Sequence, residues 1–354
     1  MKVITVVGAR PQFVKAAVVS RAFQKLNIQE KIVHTGQHFD KNMSDVFFTE
    51  MQIPKPAYNL EVHGLNHGAM TGRMLEKIEE VLVKEKPQVV LVYGDTNSTL
   101  AAALAAQKIH IPVAHVEAGL RSFNMKMPEE VNRILTDRIS SVLYIPTEQA
   151  KKNLEAEGYG NFDIHIENVG DVMYDAALFY AQQLEEVEVE EDFFLCTLHR
   201  AENTDDINRI KSLVEGLNQI HRQTKVVIPL HPRTKNALKK NKLKLEVEII
   251  EPQSYFEMIQ LLRSCKGVIT DSGGLQKEAF FFKKPCITMR DQTEWIELVE
   301  HGFNILVGAD KMKLIQEAEK IKQEQINFDK ILYGQGDAGM KIAESLKVHF
   351  GSNH

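Results

Sequence analysis

The sequence is short of the features that mark several function classes. Nowhere in its 354 residues does an apolar run approach the roughly 20 residues of a membrane span. The opening stretch MKVITVVGARPQF carries only a brief apolar run before Arg10 and Pro11. It reads as a first buried strand rather than a signal peptide, so the expected compartment is the cytoplasm. Cysteine is scarce: Cys196, Cys265 and Cys286 lie far apart with no CxxC pair, which reads as buried, reduced thiols rather than a metal or disulfide framework. No Lys/Arg-rich block or interleaved aromatic run is present, and the net charge of −5 points away from nucleic acid. The dinucleotide fingerprint GxGxxG is missing from GARPQF, so NAD is not expected, and no His/Cys spacing suits zinc. Neither a cofactor nor a metal is therefore expected.

What remains is ordinary globular composition, 44% hydrophobic and 26% charged, in a chain long enough for two domains. Short β-branched runs at 3–7, 31–35, 89–93, 112–116 and 142–145 read as buried parallel strands. Amphipathic stretches at 12–24, 70–84 and 99–108 separate them. The pattern pauses at Asn168-Val169-Gly170-Asp171 and restarts with strands at 193–197, 225–229, 246–250, 267–270 and 286–289. Helices at 204–221 and 255–264 lie between these. The acidic stretch 185–192 reads as a solvated helix end and turn. The expected fold is α/β: two doubly wound, Rossmann-like domains facing across a cleft, residues 1–170 and 171–337. The last helix, within 338–354, is expected to pack back on the first domain.

Ligands of open α/β sheets bind beyond the carboxyl ends of the strands. After the first strand, Gly8 allows a tight turn, while Arg10 and Lys15 place positive charge near a helix start, against the macrodipole preference. That conflict suggests an anion nearby. Asp95 follows the 89–93 strand, ahead of a helix whose N-cap is expected at Asn97 or Ser98. Glu117 stands directly at a strand end, where turns favour Asp, Asn, Ser and Gly instead, and a desolvated Glu suits proton transfer. Pro128-Glu129-Glu130 is a helix start. In the second half, His199-Arg200 and His231-Pro232-Arg233 follow successive strands. The sharpest local signal is Thr270-Asp271-Ser272-Gly273-Gly274, where a strand runs into small residues that open a helix and expose backbone N–H groups to phosphate. Glu278, about one turn on, can accept both hydroxyls of a ribose. Together these describe a nucleotide-diphosphate cradle in one half and proton chemistry in the other.

The motifs GARPQFVK, TGQHFD, YGDTNSTL, HVEAGLRS, MPEEVNR, LHRAEN, HPRT, DSGGLQKEA, KPCITMRD and YGQGDA resemble, in order and over essentially the whole chain, the non-hydrolysing UDP-N-acetylglucosamine 2-epimerases. The resemblance implies a fold similar to that of nucleotide-sugar glycosyltransferases, usually dimeric, acting on a UDP-sugar without membrane or nucleic-acid partners. It implies that Asp95, Glu117 and Glu129 are catalytic carboxylates, with His199 and Lys15 in the active site. Arg10, Ser272, Gly273 and Glu278 would hold UDP, with Arg200, His231, Arg233, Gly274 and Arg290 completing the set. It also implies inversion at C2 by elimination of UDP and re-addition through a 2-acetamidoglucal, in the synthesis of surface-polysaccharide precursors.

Departures from the family pattern are Ala9 and Gln12 in place of GTRPE, a shorter loop before Pro128, and Trp295-Ile296 where the family commonly has Arg-Pro. They look closer to a branch acting on UDP-2,3-diacetamido-2,3-dideoxyglucuronate, whose carboxylate Lys126 could meet. A hydrolysing 2-epimerase, a glycosyltransferase of the same fold and a non-catalytic nucleotide-sugar regulator are the competing readings. The Asp95, Glu117 and Glu129 set argues against the last. Glu278→Ala is expected to weaken UDP binding by about 1.5–3 kcal/mol, the worth of a charge-assisted bond. An unchanged affinity by calorimetry would remove Glu278 from the site.

Overall fold

The computed structural model describes residues 1–37, 48, 52–185, 192–324 and 326–351. Strands form where the β-branched runs lie. In the first unit these are β1 (Lys2–Val7), β2 (Gln29–His34), β3 (Tyr58–Asn59), β4 (Val89–Tyr93), β5 (Val113–Val116), β6 (Val142–Ile145) and β7 (His165–Asn168). They pair in parallel in the order β3-β2-β1-β4-β5-β6-β7. Ile4, Val6, Val90 and Val92 are fully buried in one core with Met74, Ile78, Leu82 and Ala101–Ala103 from the flanking helices. A parallel sheet covered on both faces needs such continuous apolar strands.

The second unit repeats the scheme with β8 (Phe193–Thr197), β9 (Lys225–Pro229), β10 (Glu248–Ile250), β11 (Gly267–Thr270), β12 (Cys286–Thr288) and β13 (Asn304–Leu306). Their order is β10-β9-β8-β11-β12-β13, again all parallel. Cys196, Cys265 and Cys286 are buried free thiols in its core. Among the described residues no helix is long and apolar enough to cross a membrane.

The first unit comprises Met1–Ala176 together with Ile331–His354, and the second Ala177–Lys330. Within the first unit the helix Ala338–Phe350 lies against the helix Arg10–Lys25, so closely that a Cβ on Gly339 would come 2.6 Å from Val18 Cγ1.

Three local details differ from the sequence reading. Thr96, not Asn97 or Ser98, caps the helix Asn97–Lys108, its hydroxyl accepting from Thr99 N. The expected helix at 204–221 is two helices, Ala201–Thr204 and Ile207–His221, because Asp206 caps the second through Asn208 N and Arg209 N. The strands β3, β7 and β13 escaped the pattern because they are short and lie at sheet edges. Of the TGQHFD stretch, residues 38–40 lie outside the described residues, as do 186–191 of the acidic stretch.

Each sheet reverses its winding once, between β1 and β4 and between β8 and β11. Strand ends diverge there and open the crevice that such sheets use for ligands. Gly8, at the first of these points, has no room for a side chain. A Cβ would lie 2.0 Å from Ser98 Oγ and 2.4 Å from Thr35 Oγ1, whose hydroxyls bond each other at 2.8 Å. Gly8→Ala should therefore destabilise the protein by about 1–3 kcal/mol through overpacking. An unshifted urea midpoint would show that the turn yields freely.

Candidate functional site

In the first unit the residue that closes the reversal is Gln12. Its Oε1 accepts from Gly8 N (2.8 Å) and Ala9 N (3.1 Å), and its Nε2 reaches the Tyr93 carbonyl at 2.7 Å. The helix Arg10–Lys25 then carries Lys15 inward to an ion pair with Glu117, both largely sheltered from solvent. Glu117 sits in a left-handed conformation, φ 65°, which is costly for a residue with a Cβ. Gly94 lies beside the pair, where a Cβ would stand in ordinary contact, 3.4 Å from Glu117 Oε2 and 3.9 Å from Lys15 Nζ.

Asp95, one residue on, forms an ion pair with Arg133 from the helix Pro128–Ile139. Arg133 is itself steadied by Glu130, 3.0 Å away. Glu130 is buried and accepts from Ser122 N and Phe123 N. Burial opposes its ionisation, but these hydrogen bonds and Arg133 outweigh it and hold the carboxyl below its ordinary range. Of the two adjacent acids, Glu130 thus anchors a loop, while Glu129 is exposed on the first helical turn. Lys126 is also exposed. Arg10 is exposed at the start of its helix. Asp95 and Glu117 thus each have a cation at hand.

In the second unit the reversal is closed by Asp271, fully buried at the end of β11. Its carboxylate accepts from His199 N (2.9 Å), Arg200 N (2.8 Å) and Asn203 Nδ2 (3.2 Å). The His199 ring lies beside it, Nδ1 3.5 Å from Oδ1, and 5.5 Å between centroids from the His231 ring. Burial lowers the His199 pKa; Asp271 opposes this, while His231, Arg200 and Arg233 reinforce it. The ring is therefore neutral at pH 7, and an anionic ligand would draw a proton onto it. His231 accepts from Arg233 N, and Arg233 pairs with Asp205 at 3.2 Å.

Ser272 caps the helix Gly273–Phe281, with its Oγ 3.5 Å from Leu275 N. Gly274 faces open space at that helix start, and Glu278 lies half-buried one turn on. A Cβ on Gly273 would meet Glu294 Oε1 at 2.3 Å and an Arg200 guanidinium nitrogen at 3.5 Å. Arg290 bonds Glu294 at 2.9 Å, so two guanidinium groups flank the helix start.

The match to a UDP-N-acetylglucosamine 2-epimerase family model runs from residue 21 to 347. The chain belongs to that family. It is 57% identical over 351 residues to the UDP-2,3-diacetamido-2,3-dideoxy-D-glucuronate 2-epimerase of Pseudomonas aeruginosa, covering 98% of this chain and 99% of that one. It is 46% identical over 364 residues to the UDP-N-acetylglucosamine 2-epimerase of Methanocaldococcus jannaschii, with coverages of 98% and 99%. A crystal structure of the M. jannaschii enzyme in complex with UDP-GlcNAc and UDP superposes with a TM-score of 0.85, covering 98% of this chain and all of that one. The enzyme is thus an isomerase of the 2-epimerase type on a two-domain Rossmann-like α/β fold.

Two of the departures from the family pattern, Gln12 and Trp295, have a structural task in this epimerase. Gln12 supplies an N–H donor that a carboxylate could not offer to the Tyr93 carbonyl. Trp295 donates from Nε1 to the Gly273 carbonyl at 2.9 Å, and its ring lies under Lys277 Nζ at 4.3 Å. Sequence reasoning singled out neither Asp271 nor Arg133 as a site residue. The signals were an acid between a buried strand and Ser-Gly-Gly, and a cation one helical turn after Glu130. Asp271→Asn would put an amide NH₂ among N–H donors. It should cost about 1–3 kcal/mol of stability and weaken UDP binding. Urea denaturation and calorimetry read the two effects, and a variant matching wild type in both would show that the acid organises nothing.

Proposed function

We propose that this enzyme inverts C2 of a UDP-linked N-acetylamino sugar without net hydrolysis, and that its preferred substrate is UDP-2,3-diacetamido-2,3-dideoxyglucuronate, in the supply of surface-polysaccharide precursors. The observation that carries the substrate assignment is the end-to-end 57% identity to the Pseudomonas enzyme named for that sugar. The chemistry is supported by the sheltered Lys15–Glu117 pair, by the ion pair of Asp95 with Arg133, and by a helix start at Ser272–Gly274 flanked by Arg200 and Arg290.

The C2 hydrogen is too weakly acidic to leave unaided. A carboxylate removes it as the C1–O bond to UDP breaks, which leaves a 2-acetamidoglucal and UDP. A proton then arrives at the other face of C2 and UDP re-adds at C1. The negative charge developing on the departing diphosphate is met by backbone N–H groups of the helix start, by Arg200 and Arg290, and by His199 as it takes up a proton. In the first unit Gln12 Oε1 already occupies the Gly8 and Ala9 N–H groups, which favours the second unit as the diphosphate holder.

The test is turnover of the diacetamido-uronate and of UDP-GlcNAc in D₂O, followed by NMR. Deuterium should appear at C2 of the product nucleotide, with the uronate converted faster. Retained protium at C2 would sink the elimination route, free sugar with UDP would indicate hydrolysis, and faster conversion of UDP-GlcNAc would overturn the substrate assignment. Asp95→Asn and Glu117→Gln should still bind UDP and lose about 10²–10⁴-fold in turnover.

A further inference from the structure

A second polar assembly in the first unit has no task in the chemistry above. His115 lies in β5, two residues before Glu117, with no solvent exposure. Its Nδ1 is 2.7 Å from Asp137 Oδ1, and its Nε2 is 2.7 Å from the carbonyl oxygen of Gly94. Asp137, equally buried, accepts through its other oxygen from Gly119 N (3.1 Å) and Arg121 (2.7 Å). Arg121 is closed off by a bidentate pair with Glu157, at 2.6 and 2.8 Å. Burial works against ionisation of Asp137, but His115 and Arg121 outweigh it and hold its carboxyl below the ordinary range.

A backbone carbonyl can only accept a hydrogen bond, and so can a carboxylate. The His115 ring faces one of each at short range, so both of its nitrogens must donate. The groups held are also telling. Gly94 immediately precedes Asp95, and Gly119 follows Glu117 by two. Gly94 and Gly119 take left-handed backbone freely, φ 62° and 76°, but Glu117 between them does so at φ 65° with a Cβ, a conformation that persists only when its surroundings enforce it.

We infer that His115 is a constitutive imidazolium and, with Asp137, a positioning residue that fixes the turns bearing Asp95 and Glu117 through the Gly94 carbonyl and the Gly119 N–H. The positioning role rests on the reading of Asp95 and Glu117 as proton-transfer groups; the protonation state of the ring does not.

Two measurements test this. In ¹⁵N-histidine-labelled wild-type protein at neutral pH, the His115 signals, assigned by their loss in His115→Gln, should show both ring nitrogens protonated. A single neutral tautomer overturns the inference. In His115→Gln the amide NH₂ can reach Gly94 but its oxygen would face Asp137. The variant should lose about 10–100-fold in kcat, as misplaced catalytic groups do, with KM and UDP affinity within about twofold of wild type. Wild-type kcat in the folded variant, or a loss confined to KM, overturns the positioning role. Should His115→Gln fail to fold, Asp137→Asn preserves volume and carries the same kcat test, its loss assigning the His115 signals by their shift. If wild-type protein converts neither nucleotide sugar, the functional reading fails, while the ring spectrum still decides the imidazolium.

Discussion

Where a parallel sheet reverses its winding, two neighbouring strand ends part and leave polar backbone groups that the ladder cannot pair. Everything of functional interest here is arranged around how those groups are satisfied. In the first unit a neutral amide, Gln12, accepts from two backbone N–H groups and donates across the gap to the Tyr93 carbonyl. In the second unit an anion, Asp271, only accepts, and the partners gathered around it from β8 onward are all donors. The two solutions have opposite consequences. Gln12 uses up the Gly8 and Ala9 N–H groups at its turn, so those donors are not open to an anion. Asp271 aligns the His199 and Arg200 backbone behind a helix start that stays open at Gly274.

The carboxylates of the first unit show why position matters more than number. Glu117, Glu129, Glu130 and Asp95 all lie on strand ends or the helix start beside them. Their surroundings sort them: Glu117 pairs with Lys15 and Asp95 with Arg133, Glu130 is saturated by two backbone N–H groups, a hydroxyl and Arg133, and Glu129 faces solvent. Saturation leaves Glu130 as structure, holding the loop at Ser122 and Phe123 in place.

How far the sequence was legible follows from the same physics. Strands such as β1, β4, β8 and β11 were readable because burial on both faces imposes unbroken apolar runs, a purely local signature. The helix start at Ser272-Gly273-Gly274 was readable because only small residues suit it. Asp95, Glu117 and His199 were visible as unusual residues at strand ends. Their partners were not. Arg133 meets Asp95 across 38 positions and Asp271 meets His199 across 72, and nothing in the local pattern of either reports those encounters. Edge strands such as β3 and β13 failed for the converse reason: two or three residues cannot establish a periodicity.

The division of the chain also has a consequence in time. The first unit is not contiguous: it takes Met1–Ala176 and then Ile331–His354, with the helix Ala338–Phe350 seated on the helix Arg10–Lys25. On a ribosome, which releases the chain from its N-terminus, the second unit emerges whole before the first can be completed. Until the final helix is released, the face of the first helix around Val18 stays uncovered. The unit begun first is therefore finished last, and its first helix waits with an apolar face open to aggregation until the chain is released.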